Sequence, residues 1–264
     1  MVAVVDNDLY NRPGDLWWDE TQPLSAIRTA LNPGRLAYFR LVFDELSLDP
    51  RGKTALDVGC GGGLLAEEVA HLGCNVTGVD PSASSLATAR AHAARSGLAI
   101  EYRQGTAEAL PFPNASFDLV YCCDVLEHVD DVGKAVAEAA RALRPGGVYL
   151  YDTINRTFPS RLVYIKLFQD WGWTSWMPPN LHAWEKFIKP AELQHHLEAA
   201  GLQPRGVSGL KPRANPLQLF RLLRARKRGQ LSYSAFGARA EHRVSGDKSI
   251  LYAGYAVKPV GTAA

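Results

Sequence analysis

The stretch Leu56-Asp57-Val58-Gly59-Cys60-Gly61-Gly62-Gly63 constrains this chain more than any other. Apolar residues run up to an acid, three glycines follow at alternate positions, and Leu64 to His71 then has helical composition. The order is strand, glycine turn, helix, which lets main chain pass close to a ligand where a side chain would collide. Position 64 is Leu, so the third glycine falls earlier than in a dinucleotide site, where a helix carries the pyrophosphate charge. Asp80 closes the next apolar run, Asn75-Val76-Thr77-Gly78-Val79, at about the distance where a strand-end acid meets ribose hydroxyls.

From residue 54 the alternation is regular. Strands are expected at Thr54–Val58, 75–79, Ile100–Arg103, Phe117–Cys122 and Val148–Thr153. Helices are expected at 62–72, 82–95 and Val132–Leu143, the last stopped by Arg144-Pro145-Gly146-Gly147. Strands spaced by such helices imply right-handed crossovers and a parallel sheet covered on both faces. Ligands then bind beyond the carboxyl ends of the strands, where Asp57, Asp80, Cys123, Asp124 and Asp152 all fall.

The flanks depart from that rhythm. Residues 1 to about 12 lack periodicity and are expected to be mobile. Leu16-Trp17-Trp18-Asp19-Glu20 sets an aromatic pair beside acids, Leu24–Leu31 has helical spacing, Asn32-Pro33-Gly34 breaks it, and Arg35–Leu46 resumes it. Residues 1–50 therefore read as a helical cover, and 51–157 as the cofactor-binding core. Within 158–189, Leu162, Val163, Ile165, Leu167 and Phe168 suggest an amphipathic helix, followed by Trp171, Trp173, Trp176 and Met177 and ended by Pro178-Pro179. So many large apolar groups suit a lid over an apolar substrate, a membrane-surface contact, or the insertion's own small core. Residues 190–264 complete the sheet: a helix over Pro190–Ala200, strands near Leu202–Leu210 and Ile250–Val257, and between them a basic insertion near 212–247 with Leu219–Arg228 helical. Between Arg205 and Arg243 ten basic residues face one acid, Glu241, so this segment carries +9 on a chain whose total is +2. That asymmetry suits an anionic partner or a solvated face.

At 264 residues and 47% hydrophobic, the chain can bury one large core with room for an insertion. No apolar run reaches the length of a membrane span and no signal pattern opens the sequence, so a soluble, cytoplasmic protein is expected. Cysteines at 60, 74, 122 and 123 have neither zinc nor disulfide spacing.

The D-x-G-x-G-x-G spacing resembles motif I of the class I S-adenosylmethionine-dependent methyltransferases. The resemblance implies a Rossmann-like α/β sheet, mostly parallel with an antiparallel edge strand. S-adenosylmethionine has no phosphate; its cationic sulfonium, amino-acid tail and ribose call for carboxylates and close main chain. Several further stretches resemble the ubiquinone-biosynthesis O-methyltransferase family. They are Trp17-Trp18-Asp19, Asn32–Leu36, Leu56–Gly63, Leu126–Val129, Thr153–Thr157 and His182-Ala183-Trp184-Glu185-Lys186-Phe187-Ile188-Lys189-Pro190. The last is the discriminating one, because the glycine motif and the Glu-His pair are shared more widely.

By this resemblance Arg35, Gly59, Asp80 and Cys123 hold the cofactor, with Asp57, Cys60, Gly61, Pro81, Thr106 and Ala107 completing its pocket. His182 and Trp184 are expected to line the substrate pocket. Asp124, Glu127 and His128 share one face if the chain turns helical after the fourth strand. The family places a divalent cation on the matching motif, so Mg²⁺ or Zn²⁺ is implied there, with Asp replacing the usual first Glu. The implied reaction is O-methylation of a phenolic or catechol hydroxyl on a small, polyprenylated quinone precursor, at the inner membrane face. His128 is expected to take the proton or hold the cation, and Asp152 to orient the reactants. A small-molecule O-methyltransferase of secondary metabolism shares every motif, and the insertion keeps it open. A nucleic-acid methyltransferase is disfavoured by Cys123-Asp124-Val125-Leu126 at the strand end, and a dehydrogenase by the glycine spacing.

Overall fold

The alternation folds as one eight-stranded sheet in the computed structural model, which describes residues 5, 7–11, 17–177 and 179–260. Helices α1 (Ser25–Ala30) and α2 (Asn32–Glu45) precede it. Then come β1 (Thr54–Val58), α3 (Leu64–His71), β2 (Asn75–Asp80), α4 (Ala83–Arg95), β3 (Glu101–Gln104), β4 (Phe117–Cys123), α5 (Val132–Ala142) and β5 (Leu143–Ile154). The short α6 (Phe158–Ser160) runs into a π-helical segment, Arg161–Asp170. The chain ends with α7 (Pro190–Ala199), β6 (Gln203–Pro212), α8 (Pro216–Lys227), α9 (Tyr233–Arg239), β7 (His242–Ser245) and β8 (Leu251–Val257).

The strand order is β3-β2-β1-β4-β5-β8-β6-β7. The first five strands are parallel; β8 runs antiparallel to β5 and β6, and β7 antiparallel to β6. The late antiparallel strands lie at one edge of the parallel sheet, as expected, and the outermost of them is β7, a strand inside the basic insertion. Strand order reverses between β1 and β4, which opens a crevice at their carboxyl ends. Period-two alternation sorts the two cores. Leu119 and Tyr121 of β4 pack with α2, α3 and α4, whereas Val120 and Cys122 pack with α5 and α7.

Two local details refine the flanks. The break between the two front helices falls at Leu31, and Asn32-Pro33-Gly34 opens α2: Pro33 lies in its first turn, where its missing N–H costs no hydrogen bond. Asn7–Asn11 forms a 3₁₀ turn within the stretch expected to be mobile. The rest of that expectation (residues 1–4, 6 and 12), with Leu16 and Pro178, lies outside the described residues. The basic insertion is docked, not splayed into solvent. Thr29 Oγ1 donates to Ser234 O at 2.9 Å, and His242 Nδ1 donates to Ala30 O at 3.0 Å.

Candidate functional site

The glycine turn builds the floor of a cavity of about 400 Å³ at the crevice. Gly59 has φ +72, and a Cβ there would stand 2.3 Å from Val125 Cγ2. Gly61 has φ +50, and its Cβ would meet the Trp17 ring at 2.3 Å. The glycines are required here by the protein's own side chains, Val125 after β4 and Trp17 of the cover, a reason that spacing alone does not reveal. Gly59 N and Cys60 N donate to Val79 O at 2.8 and 3.0 Å, and Gly61 N donates to Asp80 Oδ2 at 2.9 Å. With the amides of Gly59, Cys60, Gly61 and Gly63 spent on the protein, the turn has too few left to form a nest for an anion.

Of the expected cofactor residues, Arg35, Asp57, Gly59, Cys60, Asp80, Pro81, Thr106, Ala107 and Cys123 line this cavity. Gly61 does not; it acts through its bond to Asp80. Asp80 Oδ1 also accepts from Ser82 N at 2.8 Å, which fixes the carboxylate at the end of β2. Burial raises its pKa against those two backbone donors. Asp57 is buried with Oδ2 unpartnered among the described residues. Burial pushes its pKa up to about 8, with Arg35 opposing and Asp80 adding to the rise. A desolvated carboxylate with one oxygen unpartnered among the described residues suits a cationic ligand beside the turn.

The expected N-terminal cover forms the roof, with Tyr10 as a member that the sequence did not mark. Trp17 Nε1 donates to Ser85 Oγ at 3.1 Å and Trp18 Nε1 to Gly62 O at 2.8 Å. Tyr10 stacks on Trp17 with ring centroids 5.8 Å apart, and its carbonyl accepts from Ser82 Oγ at 2.6 Å. Nothing periodic marks residues 7–11, so Tyr10 had no local signal.

Arg35 reaches into the crevice from α2 and is itself held there. Its Nε and Nη2 donate to Asp152 Oδ2 and Oδ1 at 2.6 and 3.0 Å, and Nη2 also pairs with Asp124. Burial works against the guanidinium charge, but Asp124 and Asp152 outweigh it and hold the pKa raised. Asp124 has φ +53, and its N–H donates to Asp152 Oδ1 at 3.1 Å. Asp152, expected to touch the reactants, lines neither cavity; it is 1% exposed and anchors Arg35 and Asp124.

A second cavity, of about 420 Å³, adjoins the first; Tyr10, Ile27, Asp124 and His128 line both. Its walls are mostly hydrocarbon: Leu24 and Leu31 from the front of the chain, Val163 and Phe168 from the π-helical segment, Leu223 and Phe236 from the insertion. His182 lines it too. Trp184 lines neither cavity, because its Nε1 donates to Thr157 O at 3.0 Å and Arg161 lies over the ring. Burial lowers the His128 pKa to about 4, with Asp124 opposing and Lys186 assisting, so the ring is neutral at pH 7. Its Nδ1 is buried without a partner among the described residues.

The implied cation does not fit these side chains. Among the described residues no group of three or more His, Cys, Asp or Glu is placed to hold a metal ion. Asp124 is paired with Arg35, and Glu127, 2% exposed, lines neither cavity. Glu127 Oε2 accepts from Thr153 Oγ1 at 2.8 Å, and burial followed by Asp124 pushes its pKa up to about 8.

Residues 56–151 match the family described as "Methyltransferase domain". A ubiquinone biosynthesis O-methyltransferase of Methylobacterium sp. (strain 4-46) is 39% identical over 209 residues, covering 76% of this chain and 82% of its own. The protein of the same description from Sinorhizobium fredii (strain NBRC 101917 / NGR234) is 40% identical over 212 residues, covering 77% and 84%. A solved S-adenosylmethionine-dependent methyltransferase from Aquifex aeolicus superposes with a TM-score of 0.56 at 16% identity, covering 89% of this chain and 93% of that one.

Proposed function

The chain belongs to the ubiquinone biosynthesis O-methyltransferase family and is an S-adenosylmethionine-dependent O-methyltransferase, and from that premise we propose that it methylates a phenolic hydroxyl on a polyprenylated quinone precursor. The observation that carries this reading is the meeting of two unlike cavities. One is lined by the glycine turn and carboxylates, the other by hydrocarbon, and Asp124 and His128 stand where they join.

When bound in the first cavity, S-adenosylmethionine supplies an electrophilic methyl group. Asp57 and Asp80 give it carboxylates, one free for a cation and one fixed for hydroxyls. The apolar cavity takes the acceptor's tail and excludes water from its ring. The phenolic hydroxyl then donates to His128, whose neutral ring has a lone pair to offer. An ordinary phenol has a pKa near 10, so a gap of about six units separates it from His128. At rest the phenol therefore keeps its proton and His128 only accepts its hydrogen bond; the proton passes to His128 late, as the oxygen bonds to the methyl carbon and S-adenosylhomocysteine leaves, with the nearby charge of Asp124 favouring the imidazolium. Arg35 and Asp152 act by holding Asp124. The reading uses no divalent cation, since Asp124 and Glu127 are committed elsewhere.

No helix among the described residues is long and apolar enough to cross a membrane. We place the enzyme against a membrane surface instead, through exposed aromatics on the 158–189 segment and the basic face of α8. A shorter phenolic acceptor is the second reading, favoured by the insertion's own contribution to the cavity wall through Leu223, Phe236 and His242.

The test is transfer of labelled methyl to paired phenols with and without a prenyl tail. Preference for the tailed acceptor supports the first reading, and equal turnover the second. His128→Ala is expected to cut kcat by about 10²- to 10⁴-fold with S-adenosylmethionine affinity unchanged. An equal loss of both would make the histidine structural.

A further inference from the structure

Gln169 is a buried polar side chain that the chemistry above leaves unused. It lies near the end of the π-helical segment, where Trp171 N donates to Lys166 O, five residues back, at 2.8 Å. Widened turns of this kind recur at functional positions in helices. The Gln169 amide addresses a single residue. Its Nε2 donates to His182 O at 3.1 Å, while its Oε1 accepts from His182 N at 2.7 Å and lies 3.2 Å from His182 Nδ1.

Those contacts fix a proton. A main-chain N–H can only donate, so the atom facing it is the amide oxygen. That oxygen can only accept, so His182 Nδ1 carries the hydrogen. Burial, with His128 beside it, keeps His182 well below its usual pKa, and the ring is neutral. Its Nε2 therefore retains a lone pair. The ring lines the apolar cavity, and its centroid stands 5.2 Å from that of His128. Two neutral imidazoles thus stand side by side where the cavities join.

We infer that Gln169 is a positioning residue: it holds His182 as the Nδ1–H tautomer, so that Nε2 accepts from a second hydroxyl ortho to the one that meets His128. His182 is then the residue that reads the second hydroxyl of a catechol acceptor, and Gln169 the one that keeps it able to. This rests on the proposed phenolic acceptor and adds which residues read its second hydroxyl. With the opposite tautomer, Nε2–H would face the hydroxyl as a donor, and the Gln169 contact would be lost.

Two measurements decide it. Long-range ¹H–¹⁵N correlation on the ¹⁵N-histidine-labelled full chain, without any ligand, is expected to show His182 as a single Nδ1–H tautomer. A protonated Nε2 overturns the inference whatever the enzyme's activity. Methyl transfer is then compared on a prenylated catechol and the matching prenylated monophenol. Gln169→Met is expected to lower kcat/KM for the catechol about tenfold, the loss of one hydrogen bond, and to leave the monophenol unchanged. Gln169→Glu keeps both acceptor contacts and is expected to keep the preference for the catechol. Equal losses on both probes in Gln169→Met, or wild-type turnover that ignores the second hydroxyl, would sink the idea. Turnover of neither probe by wild type would count against the proposed acceptor, and the tautomer spectrum would still judge Gln169.

Discussion

Asp57 is a carboxylate whose charge awaits a partner. Its pKa of about 8 in the folded chain, against 3.8 for the free side chain, means the unliganded protein holds a proton there that the unfolded chain has lost. The sign follows from linkage: this group's contribution to stability is fully present below about pH 4 and is lost as pH rises through about 8. A cationic ligand reverses the preference by binding the ionised form. S-adenosylmethionine affinity is therefore expected to rise by up to about tenfold per pH unit below pH 8, with release of about one proton. Calorimetry in buffers of different ionisation enthalpy measures that proton. Asp57→Asn should abolish the release and weaken binding. Glu127→Gln, which removes another buried carboxyl pushed up to about 8 but outside both cavities, should preserve it.

At the scale of elements, the 158–189 segment and α8 share an outer surface. Trp171 and Trp173 stack with centroids 5.6 Å apart, and Trp173 meets Phe220 of α8 edge-on at 5.8 Å. Trp173 and Leu217 are more than half exposed, and Arg221, Arg224, Lys227 and Arg228 face solvent beside them. Aromatic anchors flanked by cations suit the interface of an anionic bilayer. Sedimentation with phosphatidylglycerol-containing vesicles is expected to carry the protein down at low salt. The double variant Trp171→Ser/Trp173→Ser should lose at least about tenfold in partitioning, and neutral vesicles should bind neither form. These elements also show where the sequence is readable. The helix of α8 and its charge are legible because Leu219, Leu223 and the arginines fall at helical spacing. Strand β7 is not: His242-Arg243-Val244-Ser245 has no apolar period, and its pairing to β6 is main-chain bonding at an open edge. The second cavity was equally hidden, since its walls come from segments between Leu9 and Ile250 and share no local spacing. Trp184 misled for the opposite reason. It neighbours His182 in sequence, but its indole is turned to the Thr157 carbonyl.

Across the whole molecule, one guanidinium ties together three places that the chain visits far apart. Arg35 comes from the N-terminal α2, Asp124 from the residue after β4 and Asp152 from inside β5, and all meet beneath the junction of the cavities. The strand-end acids were legible from the apolar runs that precede them. Their joint dependence on Arg35 was not, because the Asn32–Leu36 resemblance marks that arginine as a cofactor contact. Burial of so many carboxylates around one cation makes the arrangement a condition of the fold as well as of the chemistry. Removing the cation leaves Asp152 desolvated with no ionic partner, in a place where burial already raises its pKa. Arg35→Met, which keeps the packing and removes the charge, is therefore expected to cost about 3–5 kcal/mol at pH 8. The sign of its pH dependence is fixed. Carboxyls whose folded pKa is raised lose stability as pH rises, so the variant should recover part of the deficit at pH 5, where protonation relieves the unpaired charge. Urea denaturation of both proteins at the two pH values measures the difference. A deficit as large at pH 5 as at pH 8 would mean that Arg35 contributes through packing alone, and that Asp124 is held beside His128 by its bond to Asp152 without help from the ion pair.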